Sequence, residues 1–167
     1  MIEKKRLTRK INIGSLSIGG DSPVAVQSMT ATQTQDLKVT ARQIEILEQA
    51  GADVIRIAVD NDADVAALAS LREKFPKPIF SVDLQENYKL APKVAPLVNK
   101  IRYNPGHLFH LEKDKSIREK VEFIIDSARM HDCAIFNCAN SLEIILKNQK
   151  NHWIAGQNRV QYVIGAI

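Results

Sequence analysis

A parallel α/β architecture is predicted by three features of this 167-residue sequence. Short apolar runs recur at the spacing of one strand–helix unit. Each run ends abruptly in polar or charged residues. Stretches of helical periodicity lie between them, opened by aspartate and closed by glycine or proline. The runs read Val24-Ala25-Val26-Gln27-Ser28-Met29, Val54-Ile55-Arg56-Ile57-Ala58, Ile79-Phe80-Ser81-Val82-Asp83 and Lys100-Ile101-Arg102-Tyr103-Asn104-Pro105-Gly106.

In chain order, the alternation from Ile11 to Ile18 around Gly14-Ser15 predicts a small hairpin stopped by Gly19-Gly20. Residues 24–27 follow as the first buried strand. Asp36 is placed to cap a helix that carries Val39, Ile44, Ile46 and Leu47 and terminates at Gly51. Residues 54–58 form the second strand. Asp62 or Asp64 starts the next helix, through Val65, Leu68, Leu71 and Phe75, until Pro76 and Pro78 break it. The third strand spans 79–82, and a shorter helix covers 90–97, with Pro92 and Pro96 near its two ends. The fourth strand spans 100–103. A long helix from about Ser116 to Met130 presents Ile117, Val121, Ile124 and Ile125 on one face, and residues 133–136 make a fifth strand.

Repeated strand–helix order with short loops implies right-handed crossovers and a parallel sheet whose two faces are both apolar and covered. Such a sheet is either an open α/β domain or part of a barrel. A complete eight-unit barrel needs about 250 residues, and this chain supplies four units and the start of a fifth. In a barrel the carboxyl ends of the strands share one face, where the chemistry is done. Arg56, Arg102, Asp83, Asn104 and the pair Gln27-Ser28 would converge there although distant in sequence. Convergent guanidiniums suit an anionic ligand carrying phosphate.

The composition, 45% hydrophobic and 25% charged, is that of a soluble globular protein. The net charge of +4 is local: Lys4, Lys5, Arg6, Arg9 and Lys10 crowd the start. Without interleaved aromatics or a recognition motif, this reads as a solvated basic tail over residues 1–7 rather than a nucleic-acid site. No run approaches the roughly 18 apolar residues that cross a bilayer, and the start lacks a signal sequence's apolar stretch, so a cytoplasmic protein is expected. Cys133 and Cys138 make no disulfide framework in a chain of this size. They are read as free thiols. His107 and His110 lack the further ligands a metal would need, so no metal site is expected.

Four segments taken together, Ile18-Gly19-Gly20-Asp21-Ser22-Pro23-Val24, Val26-Gln27-Ser28-Met29-Thr30, Gly51-Ala52-Asp53-Val54-Ile55-Arg56-Ile57-Ala58-Val59 and Lys100-Ile101-Arg102-Tyr103-Asn104-Pro105-Gly106, closely resemble one family in motif and order. It is the 4-hydroxy-3-methylbut-2-enyl diphosphate synthases of the non-mevalonate (methylerythritol phosphate) isoprenoid pathway. The resemblance implies a partial TIM-type (β/α) barrel of four to five units after a small hairpin, over residues 8–136. It also implies an oxidoreductase that reductively opens 2-C-methyl-D-erythritol 2,4-cyclodiphosphate to the linear allylic diphosphate. Flavodoxin or ferredoxin supplies the electrons. A 4Fe-4S cluster on three cysteines and a glutamate of a separate C-terminal domain delivers them, usually within a homodimer.

Position by position, the resemblance makes Arg56 and Arg102 diphosphate ligands and Asn104 their polar partner. The residues alone allow an ion pair with Asp83 for either arginine and a turn-forming role for Asn104. Asp83 matches the aspartate that ends the family's third strand, as orienting group or hydroxyl ligand. Gln85 stands where many members have histidine, which removes a group that titrates near neutrality. Gln27 and Ser28 match the first strand's end as substrate contacts or plain strand-end caps, and His107 is read as a substrate or loop contact.

After Cys133-Ala134-Ile135 the family continues Arg-Ile-Gly-Val-Asn, whereas this chain reads Phe136-Asn137-Cys138-Ala139-Asn140. Residues 137–167 are therefore read as a divergent tail, with a helical patch at 142–146 and an apolar stretch at 160–167. The later barrel strands, the cluster domain and its ligands are read as absent, so the chain itself binds no cluster. A truncated product that does not turn over alone is the expectation; a half-barrel completed by dimerisation is the alternative. The rival functions are a non-catalytic phosphate-binding half-barrel, a related barrel enzyme such as a pterin-binding synthase, and an unstable remnant.

Overall fold

The computed structural model describes residues 8–137. A hairpin of β1 (Ile11–Ile13) and β2 (Leu16–Ile18) precedes a five-stranded parallel sheet. The sheet comprises β3 (Gln27–Met29), β4 (Val54–Val59), β5 (Ile79–Leu84), β6 (Lys100–Tyr103) and β7 (Ala134–Asn137), in the order β3-β4-β5-β6-β7. Between them run α1 (Leu37–Gln49), α2 (Asp62–Lys74), α3 (Ala91–Val94) and α4 (Ile117–Arg129). Strictly sequential order decides between the two architectures left open above. A doubly wound sheet reverses its order at a switch point; right-handed crossovers without reversal put every helix on one face, as in a barrel.

That arrangement makes the two faces of the sheet unlike, which corrects the expectation of two apolar faces. Ile55, Ile57, Val59, Phe80, Val82, Leu84 and Ile101 are buried in the core with Ile44, Leu68, Leu71, Val94 and Ile124. Side chains alternate along each strand, so the opposite face carries Arg56, Ser81, Asp83, Lys100 and Arg102. The register sets Arg56 beside Ser81, Ser81 beside Lys100 and Asp83 beside Arg102. This face is concave: the Gln27 side-chain oxygen accepts from Lys100 Nζ, from β3 to β6. Three strand spacings span about 14 Å on a flat sheet, and curling brings the two side chains together.

Local chemistry fixes the element ends. Asp36 caps α1 by accepting from the Val39 N–H, and Gly51 leaves the helix at φ +81°. Asn61, rather than Asp62 or Asp64, caps α2; its Oδ1 accepts from the Asp64 N–H. Ser116 and Glu119 form a capping box on α4. The short helix predicted over 90–97 is α3 flanked by two single 3₁₀ turns, Tyr88–Leu90 and Ala95–Leu97, because Pro92 and Pro96 each deny it an N–H. The first strand is displaced: Val24 is 92% and Val26 54% exposed, and pairing begins at Gln27. The Asp53 carboxylate takes the Val26 N–H at 2.7 Å, so a side chain occupies the place of the ladder. Val39 and Ile46 of α1 are also exposed, so they do not pack in the core as the periodicity predicts. Gly14, at φ +56°, turns the hairpin against Asn99, whose Nδ2 would lie 2.8 Å from an added Cβ. Asn99 precedes β6, so the hairpin sits at the amino end of the sheet. The carboxyl end is left to the site.

Candidate functional site

Asp83, near the end of β5, is 5% exposed and stands between the two arginines. Arg102 Nη1 donates to its Oδ1 at 2.6 Å, and Arg56 Nε lies 3.8 Å from its Oδ2. Arg56 Nε also donates to Met29 Sδ at 3.1 Å. The arginine–aspartate ion pair and the convergence of the two guanidiniums are thus one arrangement. A carboxylate below two forks fixes their planes. The side chains of Arg56 and Arg102 keep 27% and 21% of their surface exposed, enough to meet a ligand.

The other residues singled out in the sequence divide. Gln27 shares the concave face and bonds to Lys100. Ser28 pairs in register with Ile55, so it belongs to the helix-facing side, away from the arginines; reading it as a substrate contact is corrected by the period-two alternation of the strand. Asn104 Oδ1 accepts from the Gly106 N–H at 3.0 Å and so shapes the turn at the rim. His107 is exposed in the 3₁₀ turn Pro105–His107 and makes no side-chain hydrogen bond among the described residues. His110 comes closer to a pocket, 3.9 Å from Glu86 and stacked on Phe109. With Asp60, Gln85, Glu86, Asn87 and Leu111 it lines a cavity of about 370 Å³ beyond the strand ends. Burial, then Asp64, Asp83 and Glu86, raise the Asp60 carboxyl above its ordinary value. The site therefore pairs two cations with an acceptor-rich rim.

Lys100 and Ser81 escaped the sequence reading, although Lys100-x-Arg102 and Ser81-x-Asp83 place both on the arginine face by strand period. Lys100 is buried, with its ammonium 5.2 Å from the Phe136 ring centre. Burial first, then Arg56 and Arg102, bring its pKa down to about 8 against the opposing pull of Asp83. A depressed lysine costs stability while it is charged. The cost is full below about pH 8 and vanishes as pH rises through the unfolded value of about 10.5. Lys100→Met is thus expected to stabilise the domain at pH 7 by roughly 1–3 kcal/mol, with a smaller gain at pH 9.5, as urea melts at the two pH values will show.

Cys133 is buried beside β7 and its thiol is pushed up to about 12 by burial, so it is no nucleophile at neutral pH. Cys138, the basic cluster at residues 4–6 and the segments 142–146 and 160–167 lie outside the described residues. Among the described residues no group of three or more His, Cys, Asp or Glu side chains is placed to hold a metal, and no helix is long and apolar enough to cross a membrane.

Sequential parallel strands, helices on one side and a charged concave face define a segment of a TIM-type (β/α) barrel. Residues 8–156 match the GcpE TIM-barrel domain, and the chain belongs to that family. Over 152 residues it is 47% identical to the 4-hydroxy-3-methylbut-2-en-1-yl diphosphate synthase (flavodoxin) of Rhodopirellula baltica, covering 89% of this chain and 39% of that protein. Over 148 residues it is 39% identical to the enzyme of the same name from Nautilia profundicola, covering 87% of this chain and 40% of that protein. The chain thus spans about two fifths of the length of these relatives. The family match extends over residues 137–156, part of the stretch that the strand-end motifs alone mark as divergent. Phospho-2-dehydro-3-deoxyheptonate aldolase of Thermotoga maritima shares the fold at TM-score 0.50 and 12% identity, over 77% of this chain and 45% of that one.

Proposed function

We propose that this chain is the substrate-binding part of an oxidoreductase of isoprenoid precursor synthesis. The reaction is the reductive opening of 2-C-methyl-D-erythritol 2,4-cyclodiphosphate to 4-hydroxy-3-methylbut-2-enyl diphosphate. Family membership supports the reaction class, and the relatives' name supports flavodoxin as electron donor. The carrying observation within the chain is the bracket of Arg56 and Arg102 around Asp83 at the strand ends. Arg56 and Arg102 bind the diphosphate through their forks, Asp83 holds both guanidiniums in plane, and the rim of Asp60, Glu86 and Asn87 accepts hydrogen bonds from the hydroxyls of the ligand. Asn104 sets the rim turn beside them.

The family's 4Fe-4S cluster requires thiolate ligands. The described residues do not fit it: Cys133 is the cysteine among them, buried and far from ionised at neutral pH. The described residues bind and orient the diphosphate, and the two electrons of the reduction would be supplied by the cluster. The reading carries with it a homodimeric, cytoplasmic enzyme.

Titration calorimetry with the cyclodiphosphate, set beside phosphate-free methylerythritol, tests the proposal. Binding of the cyclodiphosphate that weakens with added salt, and none of the tetrol, is expected. Equal binding of the two, or binding of neither, would overturn it.

A further inference from the structure

Level with Arg56 and one step before Arg102 along the strands lie Ser81 and Lys100, two polar groups that the proposed function does not use. Arg56, Ser81 and Lys100 are in register on adjacent strands of the concave face. The Ser81 hydroxyl is fully buried, with no hydrogen-bond partner among the described residues. The Lys100 ammonium is held by Gln27 from across the face and stands against the Phe136 ring. Burying an ammonium without a carboxylate in contact is costly, and Gln27 offers it a dipole where a counter-charge would serve better. The charges that act on it are Arg56 from β4, Asp83 from β5 and Arg102 from its own strand; Gln27 of β3 and Phe136 of β7 bring none. Two cations and one anion leave this corner positive.

We infer that Lys100, with Ser81 and Gln27 beside it, forms an inner subsite for one phosphoryl group, and that Lys100 takes up a proton from solvent as the anion settles. The inference rests on the anion-binding reading of Arg56 and Arg102 and deepens it. An incoming phosphate oxygen supplies the missing counter-charge, so the protonated lysine is favoured more strongly in the complex than in the empty site. The balance is simple: one proton moves from water to the amine, and no covalent bond forms or breaks elsewhere. With the empty-site pKa at about 8, up to about half a proton is gained per site at pH 8. Anion affinity consequently falls as pH rises through that value.

Inorganic pyrophosphate, titrated calorimetrically into the 167-residue chain at pH 8 in two buffers of different ionisation enthalpy, counts the protons. Lys100→Arg cannot change its charge. It sets the baseline, which includes the ligand's own titration. Wild type is expected to take up more protons than Lys100→Arg, and Lys100→Met to bind roughly tenfold more weakly while remaining folded by circular dichroism. Equal proton counts for wild type and Lys100→Arg, or full affinity in Lys100→Met, would overturn the subsite while leaving an Arg56-dependent anion site intact. Binding that is indifferent to Arg56→Ala as well, or no binding, would overturn both.

Discussion

Arg72→Ala is expected to cost the domain about 4 kcal/mol of stability, near the upper end for one substitution. The Arg72 guanidinium gathers separate pieces of the amino end of the barrel segment. Its Nε donates to the Leu97 carbonyl at 2.7 Å, and its Nη1 serves the carbonyls of Phe75, Pro76 and Pro78 between 3.0 and 3.3 Å. Nη2 reaches Asn99 Oδ1, which also accepts from the Phe80 N–H, and the guanidinium plane covers the Phe80 ring at 4.1 Å. Removing the fork leaves the part-buried carbonyls of Leu97, Phe75 and Pro78 without their donor, while that of Pro76 is open to water. Lysine supplies one charged group in place of the fork and restores less than half the loss. Urea denaturation of the three proteins measures this; a cost under about 1 kcal/mol for alanine would contradict the stitching role.

Asp83→Asn is expected to move stability and affinity in opposite directions. The buried carboxylate pairs with two guanidiniums and offsets one of their two charges, and breaking such a pair costs about 3–5 kcal/mol when fully buried. Both arginines retain solvent contact, so about 3 kcal/mol is expected here. The amide still accepts a hydrogen bond from Arg102, while the local charge rises by one. Pyrophosphate should therefore bind roughly tenfold tighter and restore part of the lost melting temperature by mass action. Thermal melts with and without pyrophosphate read both effects. Weaker binding together with lower stability would show that orientation of the arginines outweighs the charge competing for them.

The sequence carried most of the architecture because the strands end in chemistry. The fourth predicted strand and β6 coincide over Lys100–Tyr103, and the hairpin sits where Gly14 allowed it. What was illegible depended on contacts distant in sequence. Val24 and Val26 read as buried until Asp53, 27 residues after Val26, takes its N–H and turns that stretch outward. The Asn61 cap was hidden beside two aspartates that are equally good caps by type. Arg56, Arg102 and Asp83 were legible as neighbours because residues of opposite charge sit near the ends of adjacent strands. Ser28 was misplaced by one residue of register, which moves a side chain to the other face. Lys100 and Ser81 looked like strand interior, and their place emerges only when curvature brings Gln27 to β6. His107 drew notice through its motif, yet His110 reaches the cavity, because the 3₁₀ turn after Asn104 carries the chain on to it.

In the proposed function two guanidiniums, separated by 46 residues in sequence, grip one diphosphate together. A double-mutant cycle on cyclodiphosphate affinity, from wild type through Arg56→Ala, Arg102→Ala and the double variant, tests it most directly. Each single change should weaken binding by about 10- to 100-fold, the worth of a charge-assisted contact. The double variant should lose at least 0.5 kcal/mol less than the sum, since either arginine alone holds the ligand poorly. Strictly additive losses, or a full-affinity single variant, would contradict a shared grip.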